Sequence, residues 1–190
     1  MELYDISQES LACRGFKGMV PARMDTLEKI SKGDSCNYSV LSQSAHNGTH
    51  CDAPCHFIEG GKSIDELPLE RFVGKCILIE RSGEITASDA EHDSGLGYER
   101  ILYKGDVTVT REAAMVFAGS GVRLIGNESP TVGPEDAPQE VHRILLGAGI
   151  ILLEGIRPEK APAGEYILSA APVVYRGCDG GPCRAYLMKL

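Results

Sequence analysis

Three of the five histidines of this chain lie within eleven residues, and they share that stretch with one aspartate. The four residues are His46, His50, Asp52 and His56. Imidazole and carboxylate groups are the ligands that zinc, manganese and iron accept in proteins. Gly48 and Pro54 disfavour a helix here and favour a tight loop, in which several side chains can turn toward one point. The stretch therefore predicts a divalent-metal site, and a polar surface loop with incidental histidines is the alternative.

Two residues from the second half of the chain could complete such a site. Glu154 ends the apolar run 150–153, where a buried carboxylate is costly unless it is paired or bound to a metal. His142 lies shortly before this run, in a segment with the pattern of a helix. The alternatives are a surface charge at a strand end for Glu154 and a solvated or capping side chain for His142. For Asp52 and His56, the alternative is that they only stabilise the loop.

The full stretch 46–56 reads HNGTHCDAPCH and resembles the HxGTHxDxPxH signature of the cyclase family of metal-dependent hydrolases. That family includes bacterial kynurenine formamidases and isatin hydrolases, and every fixed position of its signature is met. The likeness extends to both ends of the chain, where residues 4–7 resemble the opening strand of the family and residues 179–185 its closing strand. The resemblance implies an α/β (α+β mixed) swivelling β/β/α domain and a homodimer or homotetramer.

The resemblance also implies a role for each site residue. The implied metal ligands are His46, His50, Asp52, His142 and Glu154. Asp52 and Glu154 would bridge two ions, and His56 would remain free as the catalytic proton shuttle. Zn²⁺ is the expected ion and Mn²⁺ the alternative, with one or two ions bound.

Such a site has a defined chemistry, because a divalent ion lowers the pKa of a bound water to about 7 and supplies hydroxide at neutral pH. The resemblance thus implies an arylformamidase-like hydrolase that cleaves the C–N bond of a small amide, with N-formylkynurenine as the candidate substrate. The alternatives are a hydrolase of cyclic amides or lactones, a ring-closing cyclase, and a non-catalytic metal- or ligand-binding module. Kynurenine formamidases commonly carry a tryptophan after the first strand. This chain has none, and Phe16 is the candidate substrate-binding residue in its place.

Cys51 and Cys55 occupy variable positions of the signature. Side chains that alternate with ligands along an extended chain point away from them, so a packing role is favoured for both cysteines. Zinc ligation by their thiolates and a cysteine nucleophile paired with His56 are the alternatives.

Composition excludes several classes of partner. The 190 residues carry a net charge of −8, which repels nucleic acid and anionic lipid. The uncharged run 144–153 is too short to span a bilayer, and residues 1–5 do not resemble a signal or transit peptide.

Seven cysteines without a CxxC pair indicate reduced thiols. We expect one cytoplasmic domain, residues 1–190, with a small-molecule substrate and no nucleic-acid or membrane partner.

The periodicity of the chain predicts the elements that position these residues. Period-2 alternation predicts a strand at 37–44 that leads directly to His46, with Tyr38 and Val40 on its buried face. The segment before it is predicted to be a loop until about Asp25. Helices alternate with strands in the second half, which indicates the α/β class. The predicted helices are 111–119 and 137–146, and the further strands are 76–79, 100–103, 122–125, 150–153, 166–168 and 184–188.

Overall fold

A nine-stranded mixed sheet runs through the centre of the protein in the computed structural model, which describes residues 1–189. The strands are β1 Glu2–Asp5, β2 Arg23–Glu28, β3 Tyr38–Ser42, β4 His50–Asp52, β5 Val73–Glu80, β6 Gly83–Ile85, β7 Arg100–Lys104, β8 Val107–Val109, β9 Leu124–Gly126, β10 Ile151–Glu154, β11 Gly164–Ser169, β12 Gly180–Pro182 and β13 Tyr186–Lys189. The helices are α1 Ala87–Gly95, α2 Arg111–Ser120 and α3 Gln139–Gly147. The predicted α/β class is confirmed.

The order of strands in the central sheet is β1-β13-β11-β5-β7-β9-β10-β4-β12. β5, β7, β9 and β10 pair in parallel, and β4 joins β10 in the antiparallel sense. Parallel neighbours need a crossover connection, which α2 and α3 provide before β9 and β10. β4 is therefore the second strand from one edge of the sheet, with β10 on one side and the edge strand β12 on the other.

Two apolar clusters cover the two faces of this sheet, because alternate residues of each strand point to opposite sides. Leu102 and Leu153 belong to one cluster, whereas their neighbours Ile101 and Leu152 belong to the other. The second cluster also contains Phe117 and the other buried apolar residues of all three helices. The helices thus lie on one face of the sheet, and α3 brings its own buried side chains to that face.

α2 and α3 agree with the two helices that the sequence predicts at 111–119 and 137–146. α2 begins after Thr110, whose hydroxyl accepts a hydrogen bond from the Ala113 amide, and it ends at Gly121, whose φ is +85°. A side-chain cap and a left-handed glycine are the start and stop signals that the sequence offers. α3 buries Val141, Leu145 and Leu146 together with His142.

The segment before the histidine loop differs from the prediction. A strand does form at β3, but its residues, Tyr38 and Val40 included, are exposed. β3 pairs only with β2, and β2 begins at Arg23, where a loop was predicted to continue. The alternation of apolar and polar residues was correctly assigned to a strand. Its buried face was wrong, because neither face of this hairpin is covered by the same chain.

Within residues 1–189, no helix is long and apolar enough to cross a membrane. All seven cysteines have free thiols, as their spacing predicts.

Candidate metal centre

The strand β4 carries two of the predicted ligands into the interior. His50 and Asp52 are two residues apart, so they share one face of the sheet, while Cys51 between them packs in the apolar cluster on the opposite face. The antiparallel register places Glu154 of β10 directly across from His50. Three polar side chains from two neighbouring strands therefore meet on the face that the helices cover.

His142 reaches the same point from α3. Its Nε2 lies 3.2 Å from Oε1 of Glu154 and 3.5 Å from Oδ2 of Asp52. Nε2 of His50 lies 3.3 Å from Oδ1 of Asp52 and 3.4 Å from Oε2 of Glu154. Two imidazoles thus direct the same ring nitrogen toward the same pair of carboxylates.

Backbone carbonyls hold both rings in this orientation. Nδ1–H of His142 donates to the carbonyl oxygen of Pro138 at 2.9 Å, and Nδ1–H of His50 donates to that of Gly48 at 3.0 Å. In a neutral histidine, a hydrogen bond of this kind fixes the tautomer and leaves the Nε2 lone pair available to a metal. Both rings are therefore arranged as ligands are in metalloenzymes.

His46 and His56 lie beside this group. Nδ1 of His46 is 2.7 Å from Oδ1 of Asp52, and its Nε2 is 2.8 Å from Oδ2 of Asp179. The ring of His56 stacks on that of His46 with centroids 3.9 Å apart. His56 keeps 23% of its side chain exposed, whereas His50 and Asp52 are nearly inaccessible. His56 therefore lies where the buried group meets solvent.

The buried group contains polar atoms without partners. Among residues 1–189, Nε2 of His50 and Oδ2 of Asp52 make no hydrogen bond, although both atoms are inaccessible. An unsatisfied buried polar atom costs about 1–3 kcal/mol, and such atoms are rare in folded proteins. A divalent cation coordinated by these two atoms would satisfy both at once. Nitrogen and carboxylate oxygen are also the donors that such ions accept, so the residues fit a divalent metal.

The pKa values of the clustered residues also favour a bound divalent cation. Burial alone would lower the pKa of His142, but its contacts with Asp52 and Glu154 outweigh burial and raise the pKa to about 10. Burial would raise the pKa of Asp52, yet contacts with the surrounding imidazoles, His142 first, hold it well below its usual range. Without a metal, the imidazoles retain protons that offset the buried negative charge. A divalent cation supplies that positive charge in their place.

Comparisons with known proteins agree with this geometry. The family model described as "Putative cyclase" matches residues 4–96. A kynurenine formamidase from Salinibacter ruber (strain DSM 13855 / M31) is 34% identical over 179 residues, which cover 85% of this chain and 84% of that protein. The chain belongs to the cyclase family.

Solved structures of similar fold support the same assignment. A solved structure described as "Potential Metal-Dependent Hydrolase With Cyclase Activity" superposes with a TM-score of 0.78 at 26% identity, over 98% of this chain and 96% of that chain. Isatin hydrolase A from Labrenzia aggregata gives a TM-score of 0.84 at 23% identity, over 98% and 93%. The fold implied by the resemblance to the cyclase family is therefore confirmed. The neighbours described as potential or predicted metal-dependent hydrolases and the buried donor set together support a divalent metal at this site.

The structure brings most of the predicted site residues together. The residues within this cyclase-family centre are His46, His50, Asp52, His142 and Glu154, with His56 at its edge. Their roles as ligands and as proton shuttle stay predictions. Phe16 is half-buried in the loop after β1, where neighbouring Gly15 lies against Asn47. Its role in substrate binding also stays a prediction.

Cys51 and Cys55 do not join the cluster. Sγ of Cys51 is directed to the carbonyl oxygen of Ala170 at 3.4 Å, and Sγ of Cys55 to that of Cys178 at 3.7 Å. Burial raises the pKa of both thiols, which keeps them protonated at neutral pH. Both observations favour the packing role over the two alternatives.

Asp179 is the residue that the sequence reasoning missed. Its Oδ2 contacts Nε2 of His46 and Nδ1 of His56, at 2.8 and 3.0 Å. The only signal was its place at the start of the Asp179–Ala185 stretch, which resembles the closing strand of the family. That likeness indicated a strand and gave no reason to place a carboxylate beside two histidines.

Proposed function

We propose that this protein is an arylformamidase-like hydrolase that uses a divalent metal to cleave the C–N bond of a small amide. The observation that carries the proposal is the convergence of two distant segments on one buried donor set, in which His50 and Asp52 from β4 meet His142 from α3 and Glu154 from β10. Relatives named kynurenine formamidase support this reaction class, and they make N-formylkynurenine the first candidate substrate.

The residues proposed to hold the metal are His46, His50, Asp52, His142 and Glu154. Zn²⁺ is the proposed ion and Mn²⁺ the alternative, with one or two ions in the site. When bound, such an ion polarises the amide carbonyl, stabilises the negative charge that develops on its oxygen, and makes water more acidic. The apolar residues around β4 and β10 exclude bulk water and thereby strengthen these electrostatic effects.

His56 moves the proton in the proposed reaction. Burial lowers its pKa below the ordinary value of 6.5 even though Asp52 and Asp179 lie nearby, so the ring is neutral and basic at pH 7. With Nδ1–H engaged by Asp179, Nε2 is the nitrogen that accepts a proton from the attacking water. The same nitrogen then donates that proton to the amide nitrogen as the C–N bond breaks. A formamide and one water thus yield an amine and formic acid.

The aromatic side chain beside His56 suits a flat, aromatic substrate. The ring of Phe57 packs edge-on against His56 with centroids 4.5 Å apart, and it also lies 4.9 Å from the ring of His142. Phe16, in the loop whose Gly15 passes Asn47, is the proposed second aromatic surface. Aromatic pairs of this kind favour an aryl group over an aliphatic chain of equal size.

Metal analysis combined with a substrate screen tests this function. Purified protein is assayed with N-formylkynurenine, formanilides, isatins and lactones, before and after chelation and after return of Zn²⁺ or Mn²⁺. We expect hydrolysis of the open-chain formamides, loss of turnover on chelation, and recovery on metal addition. Full activity without metal contradicts the proposal, whereas turnover of isatins or lactones alone favours the cyclic-amide alternative. Mass analysis of products separates hydrolysis from ring closure, because hydrolysis adds one water and ring closure removes one.

We also propose that the protein forms a homodimer or homotetramer through the β2–β3 hairpin. This hairpin exposes Met24, Leu27, Ile30, Tyr38 and Leu41. Tyr38 and Leu41 lie on opposite faces of β3, so apolar side chains are exposed on both faces of a two-stranded sheet, which by itself is marginally stable in water. Exposed apolar surface of this kind is typical of an interface. A second copy of the chain would cover these residues.

The seven free thiols support a cytoplasmic location.

A further inference from the structure

Asp179 is held firmly at the edge of the site by the sheet. Its carbonyl oxygen accepts a hydrogen bond from the Ala53 amide at 2.9 Å, directly before β12 pairs with β4. Gly180, the next residue, lies so close to β4 that an added Cβ would be 2.8 Å from the Cys51 carbonyl oxygen and 2.8 Å from Cε1 of His46. The backbone therefore places residue 179 beside the imidazoles, and the carboxylate, which is 45% exposed, is held there by its contacts with His46 and His56.

Among residues 1–189, three close contacts orient the ring of His56. It stacks on His46 with an interplanar angle of 26°, and Phe57 packs against it edge-on. These two contacts fix the plane of the ring, but both of them would persist if the ring were flipped by 180°. The third contact runs from Nδ1 of His56 to Oδ2 of Asp179 at 3.0 Å, and among residues 1–189 it is the one hydrogen bond that distinguishes the two ring nitrogens.

This third contact also determines the tautomer. An ionised carboxylate only accepts hydrogen bonds, so Nδ1 of His56 must carry the proton that it shares with Asp179. Nε2 of the neutral ring is then left with a lone pair. Without such an acceptor, both tautomers and both ring orientations would be populated, and only a part of the molecules would hold a basic Nε2 toward the site.

We propose that Asp179 is a positioning residue that fixes the ring orientation and tautomer of His56, so that Nε2 is the nitrogen that exchanges the proton. This inference rests on the proposed function, because it takes His56 as the proton shuttle. It goes further by assigning a role to a residue outside the signature stretch. Asp179 acts through His56 and needs no contact with the substrate.

A double-mutant cycle tests whether Asp179 acts through His56. Zinc-loaded wild type, Asp179→Ala, His56→Ala and the double variant are compared with N-formylkynurenine as the probe. We expect Asp179→Ala to lower kcat by about tenfold to 100-fold, with KM within about twofold of wild type. In the His56→Ala background, the same change should alter kcat by less than about twofold, since residues that act as a unit are not additive. Additive losses would overturn the proposal.

Asp65→Ala is the matched control. Oδ1 of Asp65 accepts a hydrogen bond from the Gly177 amide at 2.8 Å, so it braces the same loop without contact to either imidazole. We expect this variant to keep at least half of the wild-type kcat. An equal loss of kcat in both variants would show that Asp179 only braces the loop. Zinc content is measured for every variant, because Asp179 also contacts His46, and loss of zinc from Asp179→Ala would overturn the assignment to His56.

Histidine ¹⁵N spectra give a readout that needs no substrate. The His56 signals are assigned by their loss in His56→Ala. In the zinc-loaded wild type we expect a protonated Nδ1 and an unprotonated Nε2, and in Asp179→Ala a mixture of tautomers. An unchanged tautomer in Asp179→Ala would overturn the proposal. Failure of the zinc-loaded wild type to hydrolyse any formamide would reject the proposed function, and these spectra would still decide whether Asp179 orients His56.

Discussion

At the scale of single residues, burial and charge act in opposite directions on the proton of His142. Its pKa of about 10 lies above the ordinary value of 6.5, so the metal-free protein holds this proton at pH 7. Its contacts with Asp52 and Glu154 therefore stabilise the metal-free fold fully below pH 6.5, and this contribution is lost as pH rises through about 10. Metal binding at Nε2 must expel the proton, so affinity for Zn²⁺ should rise over the same range.

Calorimetry checks this expectation directly. Zn²⁺ is titrated into metal-free protein at pH 7 in two buffers with different heats of ionisation. We expect the measured heat to differ between the buffers because protons are released on binding. Identical heats in both buffers would mean that no proton leaves, which contradicts the assignment of His142 as a ligand.

His56 gives the second prediction at this scale. His56→Ala should retain wild-type zinc content while lowering kcat by about 10² or more, since a positioned proton shuttle contributes about 10²–10⁴ to the rate. Asp52→Asn is the comparison, and it should lose zinc because one oxygen of the central carboxylate becomes an amide nitrogen. Zinc content by mass spectrometry and kcat with N-formylkynurenine are measured together. Wild-type turnover in His56→Ala would exclude the shuttle role.

The sequence predicts these residues to different degrees. His46, His50, Asp52 and His56 are close in the chain, so their spacing alone indicated a site. His142 and Glu154 lie about 90 and 100 residues further along the chain. The apolar run before Glu154 indicated a paired or metal-bound carboxylate, but the resemblance to the cyclase family was needed to join both residues to the loop. Asp179 was missed because its contacts arise from the pairing of β12 with β4, which no local pattern encodes.

At the scale of elements, the strand β12 positions one edge of the site. Gly180→Ala should destabilise the protein and weaken zinc binding, because the added Cβ would overlap the Cys51 carbonyl and the His46 ring. Gly119→Ala is the control, since it lies in α2 with no neighbouring atom within 4 Å of the added Cβ. Alanine there should stabilise the protein by about 0.5–1 kcal/mol. Thermal unfolding and zinc affinity are compared, and equal behaviour of both variants would contradict the close packing of β12.

Helices and parallel strands were the elements that the sequence predicted best. α2 has a capping Thr110 and a terminating Gly121, and its apolar stripe has a helical period, so its local signals and its packing agree. The β2–β3 hairpin has a clear strand pattern, but alternation reveals only that two faces differ. Which face is covered depends on tertiary or quaternary contacts. The prediction that Tyr38 and Val40 are buried was therefore wrong.

At the scale of the whole molecule, the exposed hairpin predicts self-association. Met24 and Leu41 are directly opposite each other on β2 and β3, and both are more than half exposed. Changing both to Glu should dissociate the oligomer into monomers, because two charges would be buried in an apolar interface. Met115→Glu, at a similarly exposed position on α2, should leave the assembly unchanged. Sedimentation velocity distinguishes these outcomes, and a monomeric wild type would contradict the proposed interface.

The central claim is that segments far apart in the chain enclose one metal centre. Anomalous diffraction at the zinc edge, from crystals grown with Zn²⁺, tests this claim most directly. We predict an anomalous peak in contact with Nε2 of His50, Nε2 of His142 and the carboxylates of Asp52 and Glu154. A zinc-containing crystal with no peak at these four side chains would contradict the account.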